Sequence, residues 1–106
     1  MYINNLKGKY VQHLLSVDDM SEDFILEIWT NALKNKDINS TSLTGKILTN
    51  LFYEPSTRTS SSFYSAMTKK GGSVIPINNV KFSSVTKGET LEDTIITMST
   101  MSDCIV

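Results

Sequence analysis

Residues 46–106 alternate between strand-like and helix-like segments, and this alternation limits the possible folds more than any other pattern in the chain. Short apolar runs typical of strands lie at residues 46–53, 74–77 and 103–106, and helix-like segments separate them. Strands joined through helices pair in parallel by right-handed crossovers. The sequence therefore predicts an α/β fold in which helices flank an open parallel sheet.

Three segments carry helix signals. Ser21 can cap a helix in which apolar side chains recur at four-residue spacing on one face. A second helix is predicted to begin within residues 56–59 and to stop at Gly71. Thr90 can cap a third helix after a polar loop over residues 78–88. The apolar helix faces and the sheet edge are surfaces that neighbouring elements normally cover, so we expect the chain to be a fragment.

Length and charge exclude several classes of protein. The 106 residues suffice for one small domain, which we assign to residues 1–106. The formal net charge of −1 provides no basic surface for nucleic acid or an anionic membrane. The N-terminus does not resemble a signal peptide, and no apolar run reaches the roughly 18 residues of a membrane span. With its single cysteine, Cys104, the chain is expected to be cytoplasmic, with no nucleic-acid or membrane partner.

The sequence contains no standard cofactor or metal motif. Gly45 and Lys46 lack the first glycine and the final hydroxyl residue of a phosphate-binding loop, and G-x-G-x-x-G does not occur. One histidine and one cysteine, far apart, cannot make a zinc site, and the carboxylates show no metal-ligand spacing. We therefore expect no cofactor and no metal.

Residues 52–59, Phe-Tyr-Glu-Pro-Ser-Thr-Arg-Thr, place hydroxyls, N–H groups and a guanidinium where a strand ends and a helix begins. Ligands of parallel sheets bind beyond the carboxyl ends of the strands, and helix N-termini attract phosphate. Arg58 adds a planar fork that can bind two phosphate oxygens. The pattern predicts a cradle for a doubly charged anion. We expect Arg58→Ala to weaken binding by about 2–5 kcal/mol, as when one partner of a buried charge pair is truncated. The alternatives are that the hydroxyls are ordinary caps and that Arg58 is simply solvated.

The same residues resemble a known family. Residues 52–59 are similar to the carbamoyl-phosphate signature of the aspartate and ornithine carbamoyltransferases, and residues 83–94 resemble the loop and helix that follow it in the aspartate enzymes. Residues 13–16 and the helix after them are also similar. The resemblance implies an N-terminal carbamoyl-phosphate-binding domain, with the amino-acid-binding domain absent.

By position, the resemblance assigns the phosphate of carbamoyl phosphate to four residues, Ser56, Thr57, Arg58 and Thr59. Thr59 is also expected near the carbonyl oxygen, so Arg58 and Thr59 are implied to be catalytic. Family members commonly have a second arginine after the Arg-Thr pair, where this chain has Ser60. The substitution removes a charge expected to support the site or a subunit contact.

The resemblance also implies that active sites are shared between subunits. Ser83 and Lys87 match loop residues that reach into the adjacent subunit in the aspartate enzymes, so a homotrimer is expected. Ser83 is implied to bind carbamoyl phosphate. Lys87 is implied to be catalytic and to contact both the phosphate and the incoming aspartate; otherwise it is a solvated loop lysine.

The implied reaction transfers the carbamoyl group of carbamoyl phosphate to the amino group of L-aspartate. It yields N-carbamoyl-L-aspartate and phosphate in de novo pyrimidine biosynthesis, and the fragment alone is expected to be inactive. One alternative is a fragment of an ornithine carbamoyltransferase, which shares the Ser-Thr-Arg-Thr signature. The other is a non-catalytic phosphate-binding or pseudo-enzyme subunit, suggested by Ser60 and the missing half.

Overall fold

The computed structural model describes residues 13–77 and 88–106. Its elements follow one another as a 3₁₀ turn at Val17–Asp19, α1 at Glu22–Asn35, β1 at Ile47–Leu51, α2 at Thr57–Lys69, β2 at Ser73–Ile77, α3 at Leu91–Ser99 and β3 at Cys104–Ile105. The predicted alternation of strands and helices is therefore confirmed. No helix in this described part of the chain is long and apolar enough to cross a bilayer.

The three described strands form a parallel sheet in the order β2-β1-β3. β1 lies at the centre, with Leu48 opposite Val74 of β2 on one side and Cys104 of β3 on the other. The carboxyl ends of all three strands therefore meet at the same edge. The predicted open parallel sheet is confirmed.

The helices after β1 and β2 cover opposite faces of the sheet. Leu48 of β1 and Met67 of α2 line one cavity of about 580 Å³. Leu51 of β1 and Ile95 of α3 line another, of about 700 Å³. Successive side chains of a strand point to opposite faces, so residues an odd number of positions apart lie on opposite faces. Leu48 and Leu51 are three positions apart and therefore face opposite ways. The helices that follow two adjacent strands thus lie on opposite faces of the sheet, and ligands of such sheets bind beyond the carboxyl ends of the strands where this reversal occurs.

Helix ends follow the predicted signals. The Ser21 hydroxyl accepts from the N–H of Phe24 at 3.1 Å, and the Thr90 hydroxyl accepts from that of Asp93 at 3.1 Å. Gly71, with a φ of +82°, ends α2, since a left-handed residue stops a helix and glycine adopts that conformation at low cost.

Two predicted strands are shorter than expected. β1 ends at Leu51 rather than residue 53, because the chain turns before Pro55, although the N–H of Phe52 still donates to the carbonyl of Ile77 at 2.9 Å. β3 covers Cys104–Ile105 rather than residues 103–106. Backbone bonds to β1 still flank it, because the N–H groups of Asp103 and Val106 donate to the carbonyls of Ile47 and Thr49 at 2.9 Å. The carboxylate of Asp103 also accepts from the N–H of Ile47 at 2.9 Å and tethers the start of β3 to the start of β1.

The core of the described residues is small, and α1 stays at the surface. Three hydrophobic side chains are buried there, those of Leu48, Met67 and Met98. No residue of α1 is buried, and Trp29 on its apolar face is 65% exposed. The amphipathic helix therefore forms as predicted, but these residues do not cover its apolar face.

Candidate anion site at the end of the first strand

The site predicted from residues 52–59 lies at the carboxyl edge of the sheet, where the central strand leads into α2. β1 ends at Leu51, and α2 begins at Thr57 with Ser56 as its N-cap residue. The turn between them is short because Pro55 cannot continue a strand. The four residues assigned to phosphate, Ser56 to Thr59, are therefore brought together in the N-cap and first turn of one helix.

The N-terminus of α2 lacks the usual cap. The Ser56 hydroxyl accepts no capping hydrogen bond, in contrast to those of Ser21 and Thr90. The Ser60 N–H closes the first turn on the Ser56 carbonyl at 2.9 Å. In the described part of the chain, no hydrogen bond uses the N–H groups of residues 57–59. These donors are the orphan groups of a helix start, and they are open to an anion.

The charges of the first turn also differ from those of the other helices. α1 carries Glu22 and Asp23 in its first turn and α3 carries Glu92 and Asp93, as helix dipoles favour. α2 has no acidic residue there and carries Arg58 instead. Positive side-chain charge therefore adds to the positive end of the dipole, an unfavourable arrangement that a bound anion relieves.

Arg58 lies at the surface. Its side chain is exposed, as are those of Thr57 and Thr59, whereas Ser56 is half-buried and Ser60 is buried. Within residues 13–77 and 88–106 the guanidinium takes part in no ion pair or hydrogen bond. It is thus available to a ligand, and its charge is in contact with solvent.

Three cavities of the described residues lie away from the residues predicted to cradle the anion. Cavities of about 580, 490 and 700 Å³ are lined by other residues, and none of the four phosphate-binding candidates borders them. The predicted loop and its site residues Ser83 and Lys87 lie outside the described residues.

Residues 12–106 match the family described as Aspartate/ornithine carbamoyltransferase, carbamoyl-P binding domain. The chain belongs to the aspartate/ornithine carbamoyltransferase family. The resemblance inferred from residues 52–59 and 83–94 is confirmed, and so is the fold that it implied.

Relatives of this carbamoyltransferase-family chain are aspartate enzymes. The aspartate carbamoyltransferase catalytic subunit of Methanocaldococcus jannaschii is 46% identical over 101 residues, which are 91% of this chain and 33% of that protein. The solved catalytic subunit of M. jannaschii aspartate transcarbamoylase has a TM-score of 0.77 at 44% identity, over 90% of this chain and 33% of that one. Aspartate transcarbamoylase from Trypanosoma cruzi, solved in complex with carbamoyl phosphate and aspartate, has a TM-score of 0.70 at 38% identity, over 85% of this chain and 30% of that one. The chain thus spans about a third of the length of the relatives it matches.

Other polar groups of this family member lie away from the anion site. In the described ranges no three His, Cys, Asp or Glu side chains are placed to hold a metal ion. The pKa of Asp103 is lowered, mainly because the Ile47 N–H donates to its carboxylate, with Lys46 at 3.4 Å adding to the effect. Ile47 begins β1, so this group lies at the opposite end of the strand from Arg58.

Sequence reasoning missed one residue beside the site. Asn50, near the end of β1, is fully buried, and its Nδ2 donates to the Ser60 carbonyl of α2 at 3.0 Å. The available signal was an amide side chain inside an otherwise strand-like run, Ile-Leu-Thr-Asn-Leu. Strand propensity disfavours asparagine in that position, so its presence asks for a specific partner.

Proposed function

We propose that this chain provides the phosphate-binding part of the carbamoyl phosphate site of an aspartate carbamoyltransferase. The observation that carries the proposal is the N-terminus of α2, which has open N–H donors, no capping hydroxyl bond, no acidic residue, and Arg58 in its first turn. A dianion is the ligand that such a group of donors favours. Ser56, Thr57 and Thr59 add hydroxyls to the same turn.

In the proposed reaction the neutral amine of aspartate attacks the carbonyl carbon of carbamoyl phosphate. Negative charge develops on the carbonyl oxygen in a tetrahedral intermediate. The C–O bond to phosphate then breaks, and the departing phosphate takes the proton that the attacking nitrogen loses. Arg58 and the open N–H groups neutralise the departing phosphate, and Thr59 lies near the carbonyl oxygen. Lys87 contacts the phosphate and aspartate. Catalysis of this kind rests on positioning and preorganised charge and needs no metal or cofactor.

We propose aspartate rather than ornithine as the acceptor because the similar proteins are aspartate enzymes. The M. jannaschii proteins are aspartate enzymes, and the T. cruzi enzyme was solved with carbamoyl phosphate and aspartate together. The role in pyrimidine biosynthesis, the cytoplasmic location, and the homotrimer in which Ser83 and Lys87 reach an adjacent site remain predictions.

A non-catalytic phosphate-binding subunit is the second candidate, and Ser60 favours it. Ser60 is buried in the first turn of α2 and provides no charge where family members commonly have an arginine. In such a subunit Arg58 would still bind phosphate. A chain extended through the amino-acid-binding domain would nevertheless form no N-carbamoylaspartate.

Titration of the chain with inorganic phosphate, followed by amide NMR, tests the proposed site. We expect the amides of residues 57–59 to shift together and to saturate. The amide of Phe24 is the internal control, because it occupies the first turn of a helix whose N-terminus is already capped by Ser21. The proposal fails if residues 57–59 do not respond, or if Phe24 shifts equally, since that indicates only a general effect of the anion.

A further inference from the structure

Asn50 is unusual among the buried side chains because only half of its amide is satisfied. The side chain is 0% exposed. Its Nδ2 donates to the Ser60 carbonyl at 3.0 Å, while its Oδ1 has no hydrogen-bond partner among the described residues. A buried acceptor without a partner is costly, and an apolar side chain in this strand would avoid the cost. The cost of burying Asn50 is therefore offset by the hydrogen bond that its Nδ2 donates to the Ser60 carbonyl.

The orientation of the amide follows from its partner. The Ser60 carbonyl is an acceptor, so the group that faces it at 3.0 Å must be the donating Nδ2. The reversed amide would place two acceptors against each other. Oδ1 is therefore the atom left without a partner, and the link from β1 to α2 is a true donor–acceptor pair.

Ser60 is the residue that closes the first turn of α2. Its N–H donates to the Ser56 carbonyl at 2.9 Å, and its own carbonyl accepts from Asn50. The Ser56 to Ser60 turn contains Arg58 and the open N–H donors. The Asn50 side chain thus connects this turn to the central strand, whereas the backbone connection through residues 52–55 is an exposed or half-buried turn.

We infer that Asn50 is a positioning residue, which holds the first turn of α2 against β1 so that Arg58 and the N–H donors converge on one anion. The inference rests on the proposed function, because it concerns the same phosphate. Asn50 itself does not touch the ligand. Anion sites made of backbone donors lose affinity when the donors are displaced, since their directions are set by the helix.

The variant that tests this is Asn50→Val. Valine is β-branched, suits a strand, and removes both the Nδ2 donor and the unpartnered Oδ1. The Ser60 carbonyl keeps its acceptor role within the helix, so stability should change little. The matched control is Thr49→Val, because Thr49 is also fully buried in β1 and hydrogen-bonds Ser102 on the other face, toward α3.

Two measurements are made on each variant. The first is amide hydrogen exchange at Ser60 and Ser61, which needs no ligand. The second is the affinity for inorganic phosphate. We expect Asn50→Val to exchange faster at these amides and to bind phosphate about tenfold more weakly, with a melting temperature within about 4 °C of the parent. Thr49→Val should lose more stability and keep its phosphate affinity. In an Arg58→Ala background the effect of Asn50→Val on affinity should shrink, because the two residues act through one turn.

The outcomes separate the two proposals. Unchanged exchange at Ser60 and Ser61 in Asn50→Val overturns the positioning role, whether or not phosphate binds. Faster exchange with unchanged affinity also overturns it. If Asn50→Val does not fold, the smaller Asn50→Ser, whose hydroxyl is too short to reach the Ser60 carbonyl, is measured in the same way. Absence of phosphate binding by the parent chain refutes the proposed function, and the exchange experiment still decides the role of Asn50.

Discussion

Replacing Arg58 with alanine tests whether the first turn of α2 binds a dianion through the guanidinium. A charge-assisted hydrogen bond contributes about 1.5–3 kcal/mol, and a fully exposed ion pair contributes no more than about 1 kcal/mol. Arg58 is exposed but can add two parallel bonds to donors already present in the turn. We therefore expect Arg58→Ala to weaken phosphate binding by about 1–2 kcal/mol, or roughly 5- to 30-fold.

This magnitude is smaller than the sequence suggested. The loss of about 2–5 kcal/mol applies to a charge pair removed from water, and the solvent contact of Arg58 rules that environment out for the chain alone. The result expected here also depends on salt, because exposed charges are screened.

The assay is phosphate titration by NMR or calorimetry at low ionic strength, with Lys69→Ala as the matched control. Lys69 is exposed and carries the same charge at the other end of α2, roughly 16 Å away by helix rise. Its removal should leave affinity nearly unchanged. Equal losses for Arg58→Ala and Lys69→Ala, or no loss for Arg58→Ala, would refute the argument.

Three other measurements test the fold and the reaction. The Ile47 N–H lowers the folded-state pKa of Asp103, so its stabilisation is present at neutral pH and is lost as the pH falls through that lowered pKa. Urea unfolding should therefore separate the parent chain from Asp103→Asn at neutral pH and show convergence in acid; an equal gap at both contradicts this. Gly71→Ala should lower the free energy of unfolding by about 1–2 kcal/mol, since φ is +82° and a Cβ there would lie 3.2 Å from a backbone carbon. Gly45→Ala, with positive φ but open space around it, should lose less, and the reverse order would be evidence against the packing argument. In a chain that continues through the amino-acid-binding domain, we expect N-carbamoylaspartate to form and Lys87→Ala to lower kcat by about 10²–10³-fold. Turnover by the 106-residue chain alone would contradict the proposed division of the site.

Most of the fold could be predicted from the sequence because its signals are local. Caps at Ser21 and Thr90, the glycine after α2, and short apolar runs identify elements from a few neighbouring residues. The parallel pairing followed from the alternation of strands and helices. Strand ends were less certain, since Asp103 bonds Ile47, a partner 56 residues away that local signals do not reveal.

The candidate site was likewise predicted from the sequence only in part. Residues 56–59 were predicted from their order in the chain, because an anion motif at a helix start is contiguous and its chemistry can be inferred from the residue types. Asn50 could not be found in this way. Its role depends on a strand side chain meeting a carbonyl of the next helix, and only the packing of α2 on β1 brings those atoms together.

Local residue order was therefore enough to predict the elements and their parallel arrangement, and it also placed the candidate anion-binding residues 56–59 at a helix start. Packing in three dimensions decided which helix end stays uncapped, how far Arg58 is exposed, and which buried amide links the turn to the sheet. The physical reason is range, since propensities and caps act within a turn or two. Burial and hydrogen bonds between elements form only when distant segments meet.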